Sequence, residues 1–417
     1  MRQTVRIVLA LLLTAPAWAQ TVTPRGDVAT LDVASWNLEF FGTTSPTDQP
    51  DSSPNDAFQF QYVEAVIAQG RIDVWGLQEV SDGDDFGRLL DSLAADGYNG
   101  VLGPNVSTPN EPFDQKLALV YDAAVVAPLE TTTLFQGQSG ASFEFAGRLP
   151  LEVRARVTVG AEARDVRFIV IHAKASSDPD SYNRRAAAAQ RLKTYTDAVL
   201  TRGESVVVLG DFNDMLESAS RGVSFDSPYK PFVDDARYGK ATLETERAGL
   251  NTFCSRPTQT NPCPGTSTID HILFSAPTLG FLPASANAQR QRYGELLAEL
   301  PQYTATTSDH VPVLANLVIS GPVAVGGGPD AGPAALLAAS PNPFRDRTLL
   351  RFRLDAPSDV RLDVFDALGR RVASLEGPYG AGEHPVPLAG DGLAPGVYVV
   401  RLAAAGVVRS QIVVRAR

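Results

Sequence analysis

Short apolar runs rich in valine and isoleucine recur along the first three quarters of the chain, each bounded by polar or turn-forming residues. Residues 31–36, 72–77, 117–121, 151–159, 166–171, 205–209, 269–274 and 311–319 read as strands on this pattern. The unbroken Val206-Val-Val208 at the centre of one of them marks a strand covered on both faces. Between these runs the period changes. Phe60, Val63, Val66 and Ile67 recur at helical spacing within 56–69, and a second helix is predicted around 86–95. The clearest helix is 182–200, rich in Ala, Gln, Arg and Leu and stopped by Gly203. Strands mixed with helices over this length predict two packed sheets flanked by helices.

Near Ser320 the pattern breaks. Residues 321–336 carry the Gly326-Gly-Gly-Pro329 run and no periodic apolar positions, which reads as a linker. A phosphate-binding loop is the sharper reading of those glycines, but the Gly-Lys-Ser/Thr ending and a following helix are missing. Beyond the linker, 351–354, 360–365, 371–375, 397–402 and 411–414 are short alternating strands. Turns at Ala367-Leu-Gly369, Gly377-Pro378 and Ala394-Pro-Gly396 separate them. The tail, 337–417, is therefore predicted to be a small all-β sandwich module.

Composition narrows the function more than the fold. A chain of 417 residues exceeds one typical domain, and its 44% apolar and 20% charged residues are those of a globular protein. A formal charge of -11 argues against a protein that coats nucleic acid through a broad basic face. It leaves a nuclease open, because a bound divalent cation supplies positive charge to an acidic site. Residues 1–19 read as a signal peptide: Arg2 and Arg6, an apolar stretch over 7–13, then Ala17-Trp-Ala19 before Gln20. That stretch is shorter than the roughly 20 residues a membrane span needs, and no other segment is long and apolar enough. Export is expected, with the mature protein secreted or held at the cell surface. The two cysteines, Cys254 and Cys263, lie close together in a Pro-rich segment. In an exported chain they predict a local disulfide, whereas a zinc site would need ligands beyond His271.

Three of the four histidines stand at the ends of apolar runs: His172 in Ile169-Val-Ile-His-Ala173, and, each directly after an aspartate, His271 in Ile269-Asp-His-Ile-Leu273 and His310 in Ser308-Asp-His-Val-Pro312. Asn37, Glu79, His172, Asp211 and Asn213 fall at the C-terminal ends of strands. Asp270 begins a strand, and Asp309 with His310 precedes another. One polar residue at a strand end is a turn former; the recurrence is what points to a site. Phosphodiester hydrolysis needs an activated water, stabilisation of charge on phosphorus and help for the leaving oxygen. A carboxylate such as Glu79 can hold Mg²⁺ or a similar hard cation, Ca²⁺ or Mn²⁺. A histidine oriented by a carboxylate is a competent general base, and His310 with Asp270 or Asp309 offers that pair. His172 can donate to phosphate. Asp211 and Asn213, two apart on an extended segment, face one way and can align water or a phosphate oxygen.

Taken in order, Ser35-Trp-Asn-Leu-Glu39, Leu77-Gln-Glu-Val80, Ile171-His-Ala173, Gly210-Asp-Phe-Asn213, Ile269-Asp-His-Ile272 and Ser308-Asp-His-Val-Pro312 resemble the endonuclease/exonuclease/phosphatase superfamily. The resemblance spans roughly 28–320 and implies the DNase-I-like fold, a four-layer α/β/β/α sandwich. It implies metal-site roles for Asn37, Glu79 and Asp309, water activation and phosphate binding by Asp211 and Asn213, and His310 as catalytic histidine oriented by Asp270. His172 resembles the second histidine of the nuclease and sphingomyelinase branches. Tyr121 ends a strand where family nucleases often place a phosphate-contacting tyrosine; a core aromatic is the other reading. Arg148 resembles an Arg-Pro segment interrupted by Leu149, and an ordinary surface arginine is equally compatible. His271 reads as a packed neighbour of Asp270, and His384 as a surface residue. Lys174 and the Arg184-Arg185 pair can meet a nucleic-acid backbone or simply be exposed helix-start charges.

The tail resembles a different family. Ser340-Pro-Asn-Pro-Phe344, Val364-Phe-Asp-Ala-Leu-Gly-Arg-Arg-Val372 and Leu393-Ala-Pro-Gly-Val-Tyr-Val-Val-Arg-Leu402 look like the C-terminal sorting domain of type IX secretion, which implies the type IX machinery as partner. A carbohydrate-binding β-module competes, but the tail has no tryptophan. The expectation is a monomeric, divalent-metal-dependent nuclease acting on extracellular DNA or RNA. A sphingomyelinase-like or other small-substrate phosphodiesterase or phosphatase is the alternative. A non-catalytic binding module is disfavoured because no core position is lost, and the inositol-phosphatase Asp-Arg-Ile is replaced here by Asp270-His-Ile272.

Overall fold

The computed structural model describes residues 21–415 apart from 43–55, 105–114, 161, 220–225, 255, 256, 259, 266, 277–278, 282–290, 320–333, 343, 367–370, 395 and 406. The leader read at 1–19 and most of the linker lie outside the described residues. In chain order the first strands are β1 (Leu31–Phe41), β2 (Val74–Val80), β3 (Tyr98–Leu102), β4 (Lys116–Asp122), β5 (Val126–Thr133) and β6 (Leu151–Val159). They are followed by β7 (Glu162–His172), β8 (Ser205–Asp211), β9 (Tyr238–Lys240), β10 (Asp270–Ser275), β11 (Leu279–Phe281) and β12 (Val313–Ile319). One sheet has the order β11-β12-β1-β2-β4-β3 and the other β5-β6-β7-β8-β10-β9.

Their inner faces share one core, in which Val33, Val74 and Leu119 meet Val153, Phe168, Val207 and Leu209. The sheets approach closely at Gly76, where an added Cβ would stand 2.6 Å from Leu209 Cδ1. The outer face of the first sheet is covered by α1 (Asp56–Gly70) and α2 (Gly83–Leu93), through Val63, Val66, Ile67, Phe86 and Leu89 packed around Trp36. Asp82 caps α2 by accepting the N–H groups of Asp84 and Asp85. On the second sheet lie α3 (Ala141–Glu144) and α4 (Pro179–Thr201), the latter seated through Ala188, Leu192 and Val199. Its N-terminus is set by Asp178, whose side chain accepts from Ser181 N, and by Pro179, three residues ahead of the apolar pattern. Each large side chain so buried contributes about 1.5–3 kcal/mol. The result is the expected α/β/β/α sandwich. Every strand and helix read from periodicity is present, while β3, β5, β9 and β11 went unread. β5 is mostly exposed, and its Glu130-Thr-Thr-Thr133 end offers no apolar run to read.

The remaining strands are β13 (Ala334–Ser340), β14 (Arg347–Leu354), β15 (Ser358–Phe365), β16 (Arg371–Tyr379), β17 (Gly382–Ala389), β18 (Gly396–Ala404) and β19 (Val407–Arg415). A three-stranded sheet, β13-β14-β17, and a four-stranded one, β16-β15-β18-β19, share the core of Leu350, Phe352, Leu362, Val364 and Val400. This is the small β sandwich expected, although β13 begins inside the stretch read as linker. β17 was hidden by Pro385 and Pro387, which its edge position tolerates.

Candidate active site

Register explains why catalytic residue types recur at strand ends. β1 runs parallel to β2 and β7 parallel to β8, with His172 opposite Asp211. β10 is antiparallel to β8, with Asp270 opposite Asp211, and β12 is antiparallel to β1. The C-terminal ends of β1, β2, β7 and β8 therefore meet the N-terminal ends of β10 and β12 along one rim. Gly210 permits this crossing: a Cβ there would stand 2.1 Å from Ile171 O.

The rim encloses a cavity of about 460 Å³ lined by Glu39, Glu79, His172, Asp211, Asn213, Asp309 and His310, with Phe40, Phe253 and Ile269 among its apolar members. His310 Nδ1 lies 2.9 Å from Asp270 Oδ2, which is fully buried. His310 Nε2 faces Asp309 Oδ1 at 3.8 Å and Asp211 Oδ2 at 3.9 Å. Its backbone is pinned by Trp36 Nε1 and Tyr303 Oη, which both donate to His310 O, and by Ser308 Oγ, which accepts from His310 N. Burial alone would hold His310 neutral, but Asp270, Asp309 and Asp211 together raise its pKa well above the ordinary value.

His172 is the opposite case. Its Nε2 stands 3.5 Å from Asp211 Oδ2 and 3.7 Å from Glu79 Oε1, while its buried Nδ1 has no hydrogen-bond partner. Burial, with the positive charges of Arg148 and His310, lowers its pKa well below the ordinary value. The two rings are thus tuned in opposite directions on either side of the shared Asp211.

Asn37, read from the sequence as a metal-site residue, donates through Nδ2 to Glu79 Oε1 at 3.2 Å and Asp211 Oδ2 at 3.1 Å, and its Oδ1 accepts from Glu39 N at 3.0 Å. The amide orients two carboxylates. Asn213 Nδ2 donates to Ala173 O, and Asn213 N to Asp211 Oδ1 at 2.8 Å. Glu39, Phe40, Glu79 and Asn213 all hold left-handed backbones, with φ of 47°, 57°, 60° and 51°. Such conformations cost about 1–3 kcal/mol each and gather where a site constrains the chain.

Glu39 is the acidic residue the sequence reading left without a role. Its Oε2 accepts Asp309 N at 2.8 Å, and burial, then the Asp309 charge, push its carboxyl up to about 9. Its position two residues past Asn37 was the available signal. Glu79 and Asp309 are also raised, first by burial, and Asp211 is pushed up to about 7 for the same leading reason. Crowded hard oxygen donors of this kind fit a divalent cation. Asp211, Asp270 and His310 also bring donor atoms within 4.8 Å of one another and could hold an ion. The facing pair Asp270 Oδ2 and His310 Nδ1 is already spent within that group, so the Glu79–Asp309 flank is the better cation site.

Two expectations are corrected. Tyr121 pairs with Val74 at the start of β2, in the core between the sheets. Because β4 runs antiparallel to β2, its Lys116 end, not Tyr121, lies nearest the rim. Arg185 is not an exposed phosphate ligand: it is buried in an ion pair with Asp214, Nη2 to Oδ2 2.9 Å, and donates to Lys174 O and Ser176 O. Arg184 lies over the Phe143 ring. Arg148 braces the site from behind, donating to His172 O at 3.3 Å and Ala173 O at 2.9 Å, and lines a separate cavity of about 320 Å³. His271 is buried between Thr242 Oγ1 and Asp214 O, as expected of a packed neighbour. His384 Nε2 meets Gly380 O in the tail. Cys254 and Cys263 form the expected disulfide.

A two-sheet sandwich that gathers carboxylates, amides and two unlike histidines on one rim defines a class of hydrolases acting on phosphoester bonds. The sequence profile of the Endonuclease/Exonuclease/phosphatase family matches residues 34–310, and the chain belongs to that family. Among solved structures, the endonuclease/exonuclease/phosphatase from Beutenbergia cavernae is 18% identical, with a TM-score of 0.48 over 92% of this chain and 100% of that one. The human Nocturnin catalytic domain with bound sulfate anion is 18% identical, TM-score 0.46, over 70% and 95%. Truncated Caenorhabditis elegans TDP2 is 16% identical, TM-score 0.43, over 69% and 97%. No curated protein matches the chain.

Proposed function

We propose that the protein is a secreted, divalent-metal-dependent phosphodiesterase whose substrates are extracellular DNA or RNA. The observation that carries the chemistry is the pair of histidines about Asp211: His310, whose Nδ1 is held 2.9 Å from Asp270 Oδ2 and whose Nε2 faces Asp211, and His172, whose Nε2 stands 3.5 Å from the same carboxylate. In its neutral form His310 takes the proton of the attacking water at Nε2, with Asp270 holding the ring through Nδ1, and the imidazolium so formed is the state that Asp270, Asp309 and Asp211 favour. Asp211 and Asn213 align that water and a phosphate oxygen, and His172 Nε2 donates to the phosphoryl group. Glu79 and Asp309, with Glu39 beside them, would hold Mg²⁺, Mn²⁺ or Ca²⁺. Such an ion would neutralise charge on the phosphoryl oxygens.

A polyanionic substrate is supported by the cations on one flank. Lys174, which follows the His172 strand, has its pKa lowered by burial and by the nearby charges of Arg184 and Arg148. That local positive field sits beside an otherwise acidic chain.

The test is to incubate the protein with Mg²⁺, Mn²⁺ or Ca²⁺ and plasmid DNA, RNA, sphingomyelin or a bis-aryl phosphodiester, beside His310→Ala. Nucleic-acid cleavage lost in the variant is the expected result. Cleavage of sphingomyelin alone would sink the nuclease reading, and no hydrolysis under any condition would sink the enzyme. For the tail we propose a type IX sorting role, supported by its motifs and its own β-sandwich core. Deleting 337–417 should abolish export across the outer membrane and leave turnover intact; export of the truncated protein would overturn that role.

A further inference from the structure

We propose that Phe253 is a specificity-determining residue, a stacking platform for a planar aromatic base flanking the scissile phosphate. This rests on the phosphodiesterase reading and names the substrate feature the site would select.

Phe253 is fixed on both sides. It bridges His310 in antiparallel register, Cys254 N donates to Asp309 O at 2.7 Å, and Val311 N donates to Thr252 O at 2.8 Å. Thr252 Oγ1 accepts from Ile269 N and Asp270 N at 2.9 and 3.1 Å, so the same segment touches both members of the dyad. Thr252 and Cys254 are buried, and Cys254 is tied to Cys263. In extended chain, neighbours of two inward-facing residues point the other way. Phe253 accordingly leaves the core and lines the cavity, half-buried.

The ring meets the His310 imidazole at 5.1 Å between centroids and 50° between planes. At that tilt the two rings are not parallel-stacked, and Phe253 remains half-buried with part of its surface open to the cavity. The cavity, about 460 Å³, falls in the range of about 300–1,000 Å³ that accommodates whole small ligands, more than a bare phosphoryl group requires. Most of its lining is polar, and Phe253 is the aromatic side chain in that lining that contacts His310, the residue that handles the proton. A nucleobase presents the matching face, and aromatic stacking tolerates any base sequence.

The test compares a short oligonucleotide with its counterpart lacking the base next to the cleaved bond, so that leaving-group chemistry is the same. The wild-type protein is expected to favour the base-bearing substrate in kcat/KM by roughly tenfold or more. Phe253→Ala and Phe253→Leu should erase that preference by raising KM for the base-bearing substrate well beyond any change on the abasic one, and Phe253→Trp should keep it. Phe253→Leu preserves bulk if the alanine variant does not fold. Equal loss on both substrates would reduce Phe253 to packing against His310 and overturn the proposal, as would a wild type indifferent to the base. Hydrolysis of other phosphodiesters but of neither oligonucleotide would overturn the stacking proposal alone. Inactivity on every phosphodiester would instead remove the reading on which it rests.

Discussion

Asn37 Nδ2 stands 3.1 Å from Asp211 Oδ2, and this hydrogen bond joins the two sheets at the floor of the active site. The same amide nitrogen holds Glu79, so one side chain sets the separation of two buried carboxylates. Asn37→Ala should lower kcat by about 10²-fold, the scale for losing one oriented donor. Asn37→Asp should be worse, because it adds a third carboxylate to a pair already raised by burial. Steady-state kinetics with a circular-dichroism check on folding decides it. An unchanged kcat in Asn37→Ala would show that the carboxylates hold their places without the amide.

Asp270 is the largest of the influences that raise His310, and substitution isolates its charge from its shape. Asparagine can still accept from Nδ1, so Asp270→Asn keeps the ring in place while removing a negative neighbour. Losing that neighbour disfavours the imidazolium, so the His310 pKa must move down and the acid limb of the rate profile must move to lower pH. The rate itself should fall about 10²–10⁴-fold. A pH–rate series beside imidazole titration by NMR reads both effects; an acid limb that stays in place would remove Asp270 as the partner that tunes His310.

The layers and most of the site were legible because both rest on periodicity. Residues at strand ends become neighbours once parallel pairs and antiparallel returns share one rim, which is why His172, Asp211, Asp270 and His310 meet. Direction was not legible. Tyr121 sits at the end of its strand like the others, but an antiparallel β4 carries that end away from the rim. Partnership was equally hidden: nothing local distinguishes Arg185, buried against Asp214 29 residues on, from the neighbouring Arg184 at the surface. Phe253 belongs to no apolar run, and only its long-range bridge to His310 gives it a place at the site.

At the opposite end of the first sheet the Asp73 carboxylate meets the backbone of a second acid, Asp32. Asp73 Oδ2 accepts Asp32 N at 2.8 Å, and burial pushes Asp73 up to about 7 and Asp32 up to about 6, from 3.8 in each case. An acid whose folded pKa is raised keeps its proton in the folded state while the unfolded chain has already lost it. Their contribution to stability is therefore greatest below about pH 4, falls as the pH rises toward 7, and is level above that. Asp73→Asn keeps an acceptor for Asp32 N and cannot ionise. It should be more stable than wild type at pH 8 by on the order of a few kcal/mol, with the gap closing toward pH 4. Urea unfolding at the two pH values measures this directly. A variant no more stable than wild type at pH 8 would mean that Asp73 is not held in an unfavourable charged state by the fold.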